Sequence, residues 1–288
     1  MLTAEELRQI HRLQLQAGRR VDSLFSGDYR SAFRGRGMEF EEVRAYVPGD
    51  DIRHIDWNVT ARTGAPFVKE FREERQLTIC IALDVSGSVR FGSGGRDGRT
   101  SKALQQARIG AALAHLATKS NDRVGLVSFT DEVDTYLPPR RSRGHAWQVV
   151  RTVFEHKTAQ GQTDLVSAIE FLGRVLKRRA VVCFVSDFLD DGAWAQALAP
   201  FARRHRVNAF VVHDPRESEL PRLGLMEFID AETGALRLVD TSAAQAHSAV
   251  STRLERLRRM GVAATAIATN DDPFERMLEH FRRSGRSR

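Results

Sequence analysis

Asp84, Ser86 and Ser88 stand at alternate positions of Asp84-Val85-Ser86-Gly87-Ser88, Thr163 lies in Gly161-Gln162-Thr163-Asp164, and Asp187 lies in Ser186-Asp187. Two carboxylates and three hydroxyls, with no histidine or cysteine among them, make a set of hard oxygen donors. Such donors suit Mg²⁺, or Mn²⁺ or Ca²⁺, and disfavour zinc. Taken one at a time, each motif is also what a helix start or turn looks like, because Ser, Thr and Asp are ordinary caps. Their joint meaning depends on whether the fold gathers them.

The elements that would position them are readable from hydrophobic periodicity. Strands are expected over 67–71 and 77–83, then an alanine-rich helix over 101–119, apolar on most sides and therefore buried. The strands 124–129 and 133–137 are separated only by Thr130, Asp131 and Glu132, too few residues for a parallel crossover, so they form an antiparallel hairpin. Helices follow at 146–155 and 163–179, the second with Leu165, Ala168, Ile169, Leu172 and Leu176 on one face and Lys177, Arg178 and Arg179 at its C-terminal dipole end. Next come a strand at 180–185, a helix at 193–204, a strand at 207–212 and a hairpin from 226–229 and 236–239 around Glu232-Thr233-Gly234. A helix over 243–260, a strand over 262–268 and a helix over 273–282 opened by Pro273 close the chain. This alternation predicts a doubly wound α/β fold, with a mostly parallel sheet and one antiparallel edge strand. In such a sheet ligands bind beyond the carboxyl ends of the strands at the topological switch point. Asp84 and Asp187 end two of the strands and Thr163 enters the helix between them, so the topology can bring all five oxygens to one edge.

The N-terminal part reads differently. A helix is expected over 3–24, with Thr3 and Glu6 forming a capping box. Residues 27–65 are irregular, yet carry Phe40, Val43, Tyr46, Ile52, Ile55 and Trp57, too many large apolar side chains for a linker. Pro48-Gly49 fits the two central positions of a type II turn. Asp50, Asp51, Arg53, Asp56 and Arg62 are mixed in sign, as ion pairs holding the segment to the α/β body would be, or as a partner-docking surface would be. The expected division is a folded N-terminal segment, 1–76, followed by one α/β domain, 77–288.

The pattern Asp84-x-Ser86-x-Ser88, then Thr163, then Asp187 resembles the metal-ion-dependent adhesion site (MIDAS) of von Willebrand factor A domains. That resemblance implies that the hydroxyls coordinate the ion, that the aspartates bind it directly or through water, and that a partner's carboxylate completes the shell. Upstream, Gly35-Arg36-Gly37-Met38-Glu39-Phe40, Val43-Arg44, Tyr46, Pro48-Gly49-Asp50-Asp51, Arg53, Ile55-Asp56-Trp57 and Ala61-Arg62 resemble the signature of the bacterial "domain of unknown function 58" family. Members are thought to work with AAA+ ATPases of the MoxR type, which implies a partner of that kind or its client protein. Many members carry N-terminal membrane helices, and none is legible here.

Other function classes are weaker. A Mg²⁺-dependent phosphohydrolase could use Asp84, Asp187, Asp190 and Asp191, but the position two after Asp84 is Ser86 where the nucleophile motif of such enzymes wants aspartate, and no Gly-x-Ser-x-Gly elbow occurs. The cluster from Gly92 to Thr100 lacks a P-loop Gly-Lys-Ser/Thr and reads as a mobile loop. Net charge is +7, with lysine only at 69, 102, 119, 157 and 177, which raises nucleic-acid binding. Residues 1–76 are neutral, however, so the excess lies on 77–288, and no aromatic stacking platform accompanies the basic stretches. The positive field of that body would help an acidic protein partner approach a cation-bearing face equally well. Cys80 and Cys183 lie in apolar runs, as reduced core thiols of a cytoplasmic protein do, and no apolar run is long enough to span a membrane. Each cysteine precedes a site aspartate by four residues, so if their strands are parallel neighbours the thiols should stand side by side. The sequence therefore predicts a non-catalytic, metal-dependent protein-interaction module.

Overall fold

The computed structural model describes residues 39–72, 77–90, 100–155, 162–189, 194–217, 224–229, 235–240 and 250–286. They fall into two compact units, one within 33–77 and the other running from Thr78 onward. The expected helix at 3–24, the glycine-rich residues 92–99, and Gly161, Asp190 and Asp191 lie outside the described residues.

In the first unit β1 (Glu39–Ala45) pairs antiparallel with β2 (Phe67–Arg72), and α1 (Trp57–Thr63) lies between them. Asp56 caps α1 by accepting from Asn58 N and Val59 N, and Gly64, at φ 75°, ends it in the left-handed region. The predicted turn is present: Asp50 N donates to Val47 O at 3.0 Å, with Gly49 at φ 113°. The segment is thus more regular than its sequence suggests, because β1 acquires its order from the partner strand rather than from an apolar alternation of its own. Three ion pairs among the described residues lie within the segment: Asp50 takes a two-point bond from Arg44 at 2.7 and 2.8 Å, Asp51 pairs with Arg53, and Asp56 with Lys69. Of the apolar side chains expected to be covered, Ile52 and Trp57 are exposed, with Val47 beside them in sequence also open to solvent.

The second unit is built on a six-stranded sheet. Its strands are β3 (Thr78–Asp84), β4 (Arg123–Phe129), β5 (Val133–Arg140), β6 (Val181–Ser186), β7 (Arg206–His213) and β10 (Ala263–Ala268). The order is β10-β7-β6-β3-β4-β5, parallel throughout except for β5, which runs antiparallel to β4 at one edge. Between β7 and β10, β8 (Leu225–Ile229) and β9 (Leu236–Asp240) pair antiparallel as the predicted hairpin strands, and among the described residues they pair only with each other. The expected turn at Glu232-Thr233-Gly234 and the first part of the helix expected over 243–260, residues 243–249, lie outside the described residues. Helix α2 (Lys102–Lys119) packs along the sheet with α3 (Arg143–Glu155) and α7 (Pro273–Arg286) as neighbours. The opposite face is covered by α4 (Leu165–Val175), α5 (Trp194–Arg204) and α6 (Val250–Arg259), whose Leu165, Leu172, Trp194 and Leu257 pack with Cys80, Phe129, Val182 and Phe184. The fold is the expected mixed α/β type with both sheet faces covered.

Two expectations need correction. Helix α4 does not run over 163–179: its cap is Asp164, and Leu176 turns inward, nearly buried, which ends the helix and leaves Lys177, Arg178 and Arg179 exposed in the link to β6. The cysteines are not side by side either. Strands β3 and β6 are parallel neighbours, but Cys80 pairs with Val182 and Ile81 with Cys183. A one-residue offset in register reverses the face of every side chain, so the thiols point to opposite sides of the sheet.

Candidate functional site

The chain leaves the central β3 toward β4 and β5, then returns to the other side of β3 to form β6, β7 and β10. The switch point is therefore the crevice at the ends of β3 and β6. Asp84 is the last residue of β3, and the 3₁₀ turn Gly87–Arg90 that follows carries Ser88. Thr163 precedes the α4 cap, and its loop is tied to the end of β4 by a bond from Asp164 N to Thr130 O at 2.8 Å. Asp187 follows β6 directly. Every one of the five predicted side chains is buried.

The structure brings the hydroxyls into a chain. Thr163 Oγ1 lies 2.7 Å from Ser86 Oγ, and Ser86 Oγ lies 3.1 Å from Ser88 Oγ. Ser88 in turn reaches the Asp187 carboxylate. Asp84 is oriented by Ser86 N on Oδ1 at 3.0 Å and by the Ser186 hydroxyl on Oδ2 at 2.6 Å. Asp187 accepts from Leu189 N on Oδ1 and from Lys102 Nζ on Oδ2 at 2.7 Å. The loop after Asp187 is anchored by Phe188, a non-glycine residue at φ 54° whose ring packs edge-on against Phe184 and Trp194. Such a backbone conformation costs of order 1–3 kcal/mol and persists only where its surroundings hold it.

The two carboxylates differ in how readily they take up a proton. Burial, and then the nearby charge of Asp187, push the Asp84 carboxyl up to about 6. Burial presses Asp187 upward too, but the Lys102 ammonium beside it outweighs this and holds its carboxyl below the usual range. Burial opposes the Lys102 charge, and the attraction of Asp187 and Glu217 overcomes that, leaving the ammonium firmly protonated.

These residues fit a small hard cation. Adjacent oxygens of an octahedral shell at 2.0–2.1 Å stand about 3.0 Å apart, and the two hydroxyl separations of 2.7 and 3.1 Å bracket that spacing. Among the described residues no cluster of three or more His, Cys, Asp or Glu forms an alternative cage, so the donor set depends on the hydroxyls.

Sequence reasoning missed four participants. Ser186 was visible beside Asp187, and the signal was its place at a strand end level with Asp84. Lys102, Glu217 and Arg253 carried no local signal, since Lys102 meets Asp187 across 85 positions and Glu217 across 115.

An open, mostly parallel α/β sheet with buried carboxylates and hydroxyls at its switch point defines the class of protein. The family described as "Protein of unknown function DUF58" matches residues 42–259, and the chain belongs to this family. It is 34% identical over 227 residues to the uncharacterized protein Rv1480 of Mycobacterium tuberculosis (strain ATCC 25618 / H37Rv), covering 78% of this chain and 70% of that one. Among solved structures it resembles an aerotolerance-related membrane protein from Bacteroides fragilis NCTC 9343, with a TM-score of 0.52 at 15% identity, covering 74% of this chain and all of that one. BatB from Bacteroides thetaiotaomicron gives a TM-score of 0.50 at 14% identity over 73% of this chain and all of that one. A fainter likeness, with a TM-score of 0.42 at 12% identity over 75% of this chain and 44% of that one, is to a von Willebrand factor type A protein from Catenulispora acidiphila. Among the described residues no helix is long and apolar enough to cross a membrane.

Proposed function

We propose that Asp84, Ser86, Ser88, Thr163 and Asp187 form a metal-ion-dependent adhesion site for Mg²⁺ or Mn²⁺, and that the protein is a non-catalytic, cytoplasmic interaction module. Its partner, on this reading, is a MoxR-type AAA+ ATPase or that ATPase's client, which supplies an acidic side chain to the ion. The observation that carries the proposal is the hydroxyl chain at 2.7 and 3.1 Å set between two buried aspartates at the switch point. Neutral hydroxyls leave a divalent ion much of its charge, so an incoming carboxylate is bound favourably.

The hydroxyls of Ser86, Ser88 and Ser186 engage Thr163, one another and the two aspartates, contacts that orient the oxygens as ion ligands. When bound, the ion would supply Lewis acidity toward the partner's carboxylate, while Ser186 and Ser86 N hold Asp84 in place and Lys102 and Leu189 N hold Asp187.

The test is capture of the MoxR-type ATPase from the same genome by the purified protein, in Mg²⁺ or Mn²⁺ and in EDTA, for wild type, Asp84→Ala and Ser86→Ala. Capture that needs the metal and falls in both variants supports the reading. Binding indifferent to EDTA and to both substitutions defeats it.

A further inference from the structure

Lys102 occupies a place that local rules argue against. It is the first residue of α2, at the positive end of the helix dipole, where a cation is unfavourable. Its side chain is also fully buried. The ammonium lies 2.7 Å from Asp187 Oδ2 and 2.8 Å from Glu217 Oε1. Glu217 is itself nearly buried on the 3₁₀ turn Pro215–Glu217 after β7, and its Oε2 lies 3.7 Å from Arg253 Nη2. Arg253, reaching in from α6, donates through Nη1 to the Asp187 backbone carbonyl. Asp187 is thereby fixed at both carboxylate oxygens and at its carbonyl.

Stability alone does not account for this set, since buried ion pairs cost heavily in desolvation and apolar residues of similar volume often do as well. A charge that defies two local preferences and is held by three elements points to function. We infer that Lys102 is the internal counter-cation of the ion site, a positioning residue that absorbs part of the charge of Asp187 and so sets how strongly the site holds a divalent ion and how much of the ion's charge is left for an incoming carboxylate. This rests on the ion-site reading above.

The inference gives two charge changes opposite signs. Removing the ammonium makes the site one unit more negative, and removing the Glu217 charge makes it one unit more positive and leaves Lys102 to Asp187 alone. The experiment is a Mn²⁺ titration of the full chain, followed by water-proton relaxation and calorimetry, for wild type, Lys102→Met, Glu217→Gln and Asp84→Ala, with circular dichroism to establish folding. Lys102→Met is expected to bind Mn²⁺ roughly tenfold more tightly than wild type, and Glu217→Gln roughly tenfold more weakly, the scale of one unit charge acting on a divalent ion in a partly buried site. A purely structural Lys102 would weaken binding in both variants, and that result, or no change in either, overturns the inference. Should Lys102→Met not fold, Lys102→Gln takes its place, with tighter Mn²⁺ binding than wild type expected and weaker or unchanged binding overturning the inference. Wild type that binds no Mn²⁺ and matches Asp84→Ala removes the ion site itself, an outcome separate from these.

Discussion

Cys80 and Cys183 sit on neighbouring parallel strands but project from opposite faces of the sheet, because Cys80 is level with Val182 and Cys183 with Ile81. Both are fully buried, and burial pushes each thiol up to about 12. Neither supplies thiolate at neutral pH, and no bridge between them is possible without breaking the sheet. The folded protein is expected to resist both an aromatic disulfide reagent and mild oxidant, with both thiols titrating only after denaturant is added. A disulfide found by mass spectrometry in the native protein would show that the register is wrong.

That offset also marks how far the sequence reaches. Asp84, Ser86, Ser88, Thr163 and Asp187 were legible because each belongs to a short motif at a strand end or helix entry, and the order of the elements places those ends at one edge. The stagger between β3 and β6 was not legible. Equal spacing from each cysteine to its aspartate suggested a level pair, whereas Leu83 aligns with Val185, so Ser186 stands level with Asp84 and Asp187 lies one step beyond. The Lys102, Glu217 and Arg253 set was hidden for a different reason: its members come from a helix start, a loop and a distant helix, and only the packed body brings them together. In the N-terminal segment, the exposure of Trp57 runs against the ordinary rule that so large an apolar side chain is covered.

Ser186 is expected to matter for stability before any metal is added. Its hydroxyl gives Asp84 Oδ2 a bond of 2.6 Å, and it also accepts from Phe188 N at 3.0 Å. In Ser186→Ala both groups lose a partner in a buried setting where water cannot substitute, which costs about 1–3 kcal/mol for each such orphaned group. Urea unfolding in EDTA at pH 7 should show the loss, and an unchanged midpoint would mean that the hydroxyl does not hold Asp84.

Gly125 lies where β4 and β5 approach across a register shift between Val124 and Leu126. A Cβ there would stand 2.8 Å from both Leu137 O and Pro139 N, which are backbone atoms that cannot swing aside. Gly125→Ala should destabilise by about 1–3 kcal/mol. Gly144, near the start of α3, has open space around a Cβ, so Gly144→Ala should be neutral or stabilise by up to about 1 kcal/mol. Thermal unfolding of the two variants side by side tests the contrast, which disappears if the edge strand is able to move away.

His280 gives the body a dependence on pH that is separate from the ion site. It is buried between β10 and β7: Nε2 meets Asn208 Oδ1 at 3.0 Å and Nδ1 meets Thr265 Oγ1 at 2.8 Å. An amide oxygen only accepts, so Nε2 carries the proton, and the neutral ring is completed by Nδ1 accepting from the threonine hydroxyl. Burial, reinforced by the positive charges of Arg206, Arg283 and Arg258, pushes this imidazole down to about 3 from its ordinary 6.5. Its folded value lies below its unfolded value, so the unfolded chain takes up a proton that the native protein refuses. The contribution is fully present above pH 6.5 and is lost as the pH falls toward about 3, at up to about 1.4 kcal/mol for each pH unit. Comparing urea unfolding of wild type and His280→Gln between pH 4 and 7 isolates it from the carboxylates, which both proteins share. Wild type should lose stability faster on acidification, and parallel curves would mean that the ring is protonated in the native state.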